Sequence, residues 1–174
     1  DAPARVQENL ARIRFQIGVA SDALLSVTQV HGNEVIEVKE LKDISDVSAD
    51  GLFTQLPHVA LAVRTADCVP ILMTDKEGRF VAALHAGWRS AVADIMGTAL
   101  AKIKTATGVA SENVVAAIGP CIGKDSFEVG DDVKEMANAL LKSDEFFTAK
   151  ANGKYLFDLR YLMDKNKVIG LIKH

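Results

Sequence analysis

The sequence predicts a mixed α+β domain built on an antiparallel or mixed sheet flanked by helices, and three observations lead there. Its apolar runs, such as Val59 to Val63 and Val69 to Met73, are about five residues long and read as short strands. Other stretches carry apolar residues at helical spacing, beginning with Leu10, Ile13 and Ile17. Strands and helices do not alternate strictly, so a doubly wound parallel sheet does not fit. At 174 residues the chain has the size of one domain and can bury a sizeable core.

Taken in order, the helical period from Val6 to Ile17 ends at Gly18, a residue suited to closing a helix. Leu24 to Val30 and Val35 to Val38 are strand-like and flank the turn signal His31-Gly32-Asn33, which puts His31 at a strand end. Val59 to Val63 and Val69 to Met73 are separated by Arg64-Thr65-Ala66-Asp67-Cys68, and Asp75-Lys76-Glu77-Gly78 turns into a strand from Phe80 to His85. After Gly87-Trp88-Arg89, Ser90 is a suitable N-cap, and Val92, Ile95, Met96, Ala99 and Ile103 mark the face of one helix that Gly108 closes. Val114 to Ile118 is a strand and Gly119-Pro120-Cys121-Ile122-Gly123 a tight loop. Asp131 to Leu141 is a helix with Val133, Met136, Ala137 and Leu140 inward, and Tyr155 to Phe157 is the last strand before a final helical run.

Composition narrows the function classes. Hydrophobic residues at 49% and charged residues at 25% are ordinary globular usage, which excludes a disordered or low-complexity chain. Twenty Lys plus Arg against 23 Asp plus Glu give a net charge of -3 with neither sign gathered in a block, so small-molecule chemistry is favoured over nucleic-acid or membrane partners. No apolar stretch is long enough for a transmembrane helix, and no signal-peptide pattern opens the chain. Cys68 and Cys121 cannot make a disulfide framework, which points to a reducing, cytoplasmic compartment. The first residue is Asp1 and the last segment is apolar-rich, so both ends are expected to be incomplete.

Three loops place a reactive side chain beside glycine or proline at the end of an apolar strand. They are Gln29-Val30-His31-Gly32, Thr65-Ala66-Asp67-Cys68-Val69-Pro70 and His85-Ala86-Gly87-Trp88-Arg89. His31, Cys68 and His85 make a three-ligand zinc site possible, because zinc takes imidazole and thiolate and a catalytic site keeps a fourth position for water. Their separations of 37 and 17 residues match no short zinc motif, so ordinary roles as a turn histidine, a small buried cysteine and a core histidine stay open. So does a different chemistry, in which Cys68 or Cys121 is a thiolate nucleophile and His85 or His31 its base. Cys121 also fits a packed loop position. Arg64 and Arg89 stand beside the candidate ligands, where a guanidinium holds a phosphate or an oxyanion unless it merely forms a surface ion pair. Asp67 offers a proton acceptor, an orienting carboxylate or a turn cap. Trp88 fits a packing anchor or a stacking platform, and His58, after Pro57, reads as exposed.

Thr28-Gln29-Val30-His31-Gly32, Ala49-Asp50-Gly51, Thr65-Ala66-Asp67-Cys68-Val69-Pro70, His85-Ala86-Gly87-Trp88-Arg89 and Gly119-Pro120-Cys121-Ile122-Gly123 together resemble the laccase-domain, or YfiH-like, family, in the family's order. The resemblance implies a layered α/β/β/α arrangement shared with a group of cysteine hydrolases. It implies zinc on His31, Cys68 and His85, and purine nucleoside phosphorylase activity on inosine, adenosine, guanosine and methylthioadenosine, with adenosine deaminase activity through a zinc-bound water. Ser90 stands where the family usually has Gly, and Phe127 where it usually has Tyr. Full-length members carry an arginine-bearing N-terminal region and a cysteine-containing C-terminal segment, so the resemblance implies a domain trimmed at both ends. Two alternatives remain: a cysteine hydrolase or amidase acting on peptidoglycan precursors, and a copper-dependent phenol oxidase with Met73 as axial ligand. Laccases need a cluster of several coppers and more histidines than the four in this chain.

Overall fold

The computed structural model describes residues 3–20, 22–165 and the strand backbone of 171–172. Its fold is mixed α+β, as the alternation of short apolar runs and helical periods predicts. Helix α1 (Pro3–Ile17) ends at Gly18 with φ of +69° and buries none of its residues. Strands β1 (Leu24–Leu25), β2 (Val35–Val38), β3 (Gly51–Thr54), β4 (Ala60–Leu61), β5 (Val69–Asp75) and β6 (Val81–Ala86) follow. Then come α2 (Trp88–Val92), α3 (Ile95–Thr107), β7 (Val114–Ile118), β8 (Glu128–Val129), α4 (Asp131–Leu141), β9 (Phe147–Ala149), β10 (Tyr155–Phe157), α5 (Leu159–Lys165) and β11 (Leu171–Ile172).

Six strands form the central mixed sheet in the order β11, β7, β5, β6, β3, β2. The β7/β5/β6/β3 ladder is antiparallel, while β2 runs parallel to β3 and β11 parallel to β7. Alternation along the strands sends Phe53, Ile71, Met73, Leu84 and Ala116 to one face, where Ile95, Met96, Ala99 and Ile103 of α3 cover them. Leu52 and Ala83 point to the other face and pack with Leu25, Val27, Val38, Ile44 and Ala49. That second layer includes the parallel pair β1/β4, and β8, β10 and β9 make a separate antiparallel sheet. Gly51 is needed where three strands meet, because a Cβ there would lie 2.7 Å from Leu84 and 2.8 Å from Val35.

The structure corrects several local expectations. The run from Leu24 to Val30 does not stay one strand: Leu24 and Leu25 pair with β4, whereas Thr28 bridges to Ser48. Ser90 is not an N-cap. Gly87 takes that position, Ser90 is buried inside α2, and the single expected helix breaks at Asp94. Asp94 adopts φ of 56° and its carboxylate accepts the Gly97 N–H, so it starts a new helix where a short polar side chain gains more as a cap than in a helix interior. In α4 the buried stripe is Val133, Ala137 and Leu141, at intervals of one turn, which leaves Met136 48% and Leu140 64% exposed. Tyr155–Phe157 is not the last strand, since β11 adds a parallel edge beside β7. Strands β3, β8 and β9 add to those read from the sequence.

The small sheet is tied by charge as well as by its ladder. Glu128 of β8 accepts from Lys150 and, at 2.9 Å, from Lys154, both on the β9/β10 hairpin. The Lys150 hydrogen bond, followed by that of Lys154, lowers its carboxyl pKa from 4.5 to about 2. A carboxylate depressed in the folded state contributes stability that is complete above its unfolded pKa and is lost as pH falls through its folded one. Glu128→Gln should therefore flatten the loss of thermal stability between about pH 4.5 and pH 2 in a melting series, and a loss parallel to that of the unaltered protein would contradict this role.

Candidate metal centre

The sheet register decides which side chains meet. One residue beyond the Gly51/Leu84 pair, Asp50 lies opposite His85, and the His85 N–H donates to the Asp50 carbonyl at 2.7 Å. One residue beyond the Val69/Ala86 pair, Cys68 lies opposite Gly87. Because β2 is parallel to β3, the loop feeding β2, with His31 in it, arrives at the same end of the sheet. Three loops far apart in sequence are thus delivered to one edge by backbone pairing.

Asp50 is completely buried and organises that edge. Its Oδ1 accepts the His31 N–H at 2.9 Å and the His85 Nδ1–H at 2.7 Å. Its Oδ2 accepts the N–H groups of Gly32 at 2.7 Å and Val30 at 3.2 Å. The curl of N–H groups around an anion requires the left-handed conformation at His31, φ 59°, which costs roughly 1–2 kcal/mol in a residue with a Cβ. Hydrogen bonds to an ionised group contribute about 1.5–3 kcal/mol each and offset that strain. Since an ionised carboxylate can only accept, Nδ1 of His85 is the donor in this bond, which leaves Nε2 as the ring nitrogen available to a ligand.

The structure brings His31, Cys68 and His85 together, with one ligand atom from each inside a 4.8 Å spread. His31 Nε2 and Cys68 Sγ are 3.9 Å apart, near the about 3.6 Å that zinc bonds of roughly 2.05 and 2.3 Å subtend at a tetrahedral angle. The two imidazoles meet edge to face, with ring centres 4.8 Å apart. Gly87 forms the adjoining wall: a Cβ there would come within 2.8 Å of the His31 ring and 3.2 Å of Cys68 Sγ, filling the cradle. Two imidazoles and a thiol suit a borderline or soft cation and not magnesium or calcium. The cluster could therefore hold a metal ion.

The other expected site residues fall around this cluster. Arg64 and Asp67 lie on the exposed loop that leads to Cys68, and Ile122, beside Cys121, donates its N–H to the Asp67 carbonyl at 2.9 Å. That bond places the Cys121 loop next to the Cys68 loop, while the Cys121 side chain packs against the main core. Arg89 is exposed at the start of α2, with its guanidinium 4.3 Å from the centre of the half-buried Trp88 ring. His58 is exposed. Burial, then the carboxylates of Asp67 and Asp50, push the Cys68 thiol above its ordinary range. Burial also pushes the Cys121 thiol up, with Arg160 opposing and Asp158 adding to it.

Sequence reasoning gave no role to two residues, Asp50 and Gln29. A carboxylate between Ala49 and Gly51 at the mouth of an apolar strand was a usable signal, because a buried charge there needs partners. A groove of about 660 Å³ between β2 and α3, lined by Glu34, Val35 and Lys102, does not include His31, Cys68 or His85.

A family model described as multi-copper polyphenol oxidoreductase laccase matches residues 1–167. Among curated relatives, a purine nucleoside phosphorylase of Deinococcus radiodurans is 38% identical over 76% of this chain and 51% of its own length. One of Rickettsia conorii is 36% identical over 78% of this chain and 56% of its own. The purine nucleoside phosphorylase YfiH of Escherichia coli is 33% identical over 93% and 64%. The chain thus spans about half to two thirds of the length of these three curated relatives. A Neisseria meningitidis crystal structure is 31% identical with a TM-score of 0.83, covering 98% of this chain and 69% of that one.

Asp50→Asn keeps the side-chain volume but turns an amide NH2 toward backbone or imidazole donors. At least one buried N–H then loses its acceptor, at a cost of about 1–3 kcal/mol. The metal-free variant should unfold at lower urea concentration than the unaltered protein, and an unchanged midpoint would show that Asp50 does not hold this edge.

Proposed function

The chain belongs to the multi-copper polyphenol oxidoreductase laccase family, and from that premise we propose that it binds zinc through His31, Cys68 and His85 and works as a purine nucleoside phosphorylase. The carrying observation is the convergence of those three side chains at one sheet edge, with His85 turned by a buried carboxylate so that Nε2 is free. The names of the curated relatives supply the reaction class, and their greater length makes the whole activity a proposal for this chain. A zinc ion held by His31, Cys68 and His85 would supply Lewis-acid chemistry at this edge.

Phosphorolysis breaks the bond between ribose C1′ and the purine nitrogen and joins a phosphate oxygen to C1′, while the departing purine takes up a proton. Two groups are then required of the protein, an anion holder and a proton carrier. Arg64 and Arg89 flank the cluster in sequence and are exposed, so their guanidinium groups are the anion holders assigned here. Asp67, adjacent to Cys68, is the proton carrier. Deamination of adenosine is a second reaction that the same site would support, with Asp67 moving the proton. Inosine, adenosine, guanosine and methylthioadenosine are the substrates proposed, together with phosphate, in a reducing cytoplasmic setting that keeps Cys68 reduced and able to bind the metal.

The competing readings fit less well. A cysteine hydrolase needs a thiol with a depressed pKa, and burial drives both Cys68 and Cys121 the other way. A multicopper oxidase needs a histidine-rich cluster, and this chain has four histidines.

Purified protein should contain near-stoichiometric zinc and release hypoxanthine from inosine only when phosphate is present. His85→Ala and exhaustive chelation should each lower that rate by at least about a hundredfold, since both remove the metal. Full phosphorolysis after exhaustive chelation would overturn the zinc reading.

A further inference from the structure

We propose that Gln29 is a positioning residue that locks the loop carrying Cys68 onto the loop carrying His31. This rests on the metal reading above. The backbone pairing of these two stretches begins with the parallel β1/β4 ladder, where Ala60 and Ala62 donate to the carbonyls of Ala23 and Leu25 at 2.8 Å. It then stops, because the first strand turns away and Thr28 bridges to Ser48 instead. Between that point and the two ligands the segments are joined by a side chain. The Gln29 Nε2–H donates to the Arg64 carbonyl at 2.8 Å, and the Arg64 N–H donates to Gln29 Oε1 at 2.8 Å.

This two-point contact continues the ladder by other means. A primary amide sets an N–H donor beside a carbonyl acceptor in one plane, which matches the C=O and N–H of a backbone residue, and Gln and Asn are the side chains that carry an amide. Gln29 stands two residues before His31, and Arg64 four before Cys68. Residues 64–67 are exposed and have few other fixed points, one being the bond from Ile122 to the Asp67 carbonyl. Gln29 also leads straight into Val30, His31 and Gly32, whose N–H groups are held by Asp50. The segment from 29 to 32 is therefore fastened on one side to the Cys68 loop and on the other to the strand pair that carries His85. It fixes the 3.9 Å approach of His31 Nε2 to Cys68 Sγ before any ion arrives.

Gln29→Glu isolates the effect. It preserves length and shape, removes the donor to the Arg64 carbonyl and sets a carboxylate oxygen against that carbonyl instead. The experiment titrates cobalt(II) into the metal-free unaltered protein and the metal-free variant, following the visible ligand-field bands and the thiolate charge-transfer band, and records the melting temperature of both metal-free forms. Residues that orient metal ligands without touching the ion change affinity by about 10–100-fold when altered. We expect the cobalt dissociation constant of Gln29→Glu to rise within that range, with weaker tetrahedral bands and a metal-free melting temperature near that of the unaltered protein. Equal dissociation constants and spectra would overturn the proposal. So would a loss of affinity matched by a comparable collapse of the metal-free fold, which would make Gln29 merely structural. Failure of the unaltered protein to bind cobalt would overturn the metal reading itself, and the positioning role with it.

Discussion

A single ionised carboxylate, buried without exposure at the end of β3, is the constraint on which the rest of the site depends. Taking a charge out of water costs several kcal/mol unless it is fully paired, and Asp50 is paired four times, by three successive backbone N–H groups and one imidazole. Those partners come from two places in the sequence, residues 30–32 and His85. Neither place can shift alone without leaving a buried donor or the charge itself unmet. The left-handed backbone of His31 and the tautomer of His85 are consequences of one requirement, and both bear on how a metal ligand points.

The sheet turns that local requirement into a fixed edge. Leu84, Ile71 and Val69 are buried with no exposure beneath α3, so the strand that contains His85 and the one that begins after Cys68 are among the most firmly packed of the molecule. Glycine occurs where backbones must approach closely. A Cβ at Gly87 would enter the cradle between His31 and Cys68, and one at Gly51 would strike Leu84 and Val35. Cys68 and His85 stand at the ends of packed strands, His31 is exposed on the loop before β2 and is held there by its N–H bond to Asp50, and Arg64, Asp67 and Arg89 are exposed around them. A rigid inner set and an adaptable outer set is the division expected of a site that holds an ion firmly and admits a small substrate.

Much of this was legible in the sequence. Val35–Val38, Val114–Ile118 and Asp131–Leu141 are elements with the bounds their patterns suggest, because each is a clean apolar period with a turn or cap at both ends. His31, Cys68 and His85 stood out as reactive side chains beside glycine or proline at strand ends, and the structure places them together. The break between α2 and α3 was hidden, since the apolar period runs through it and only the cap formed by Asp94 reveals it. Strands β3, β8 and β9 hold at most two apolar side chains each, too few to register, whereas the equally short Val35–Val38 and Tyr155–Phe157 hold three. The roles of Asp50 and Gln29 depend on partners 35 residues away, and no local pattern encodes such pairing.

Two histidines and one thiol form a donor set that distinguishes one metal centre from another, whatever reaction it serves. The most direct measurement is X-ray absorption at the zinc edge of protein purified without added metal. A centre built from these side chains should show one sulfur scatterer at about 2.3 Å and two imidazole nitrogens at about 2.0–2.1 Å, with a further light atom completing four-coordination. A zinc shell without sulfur, or with two sulfurs, would contradict a centre built from His31, Cys68 and His85.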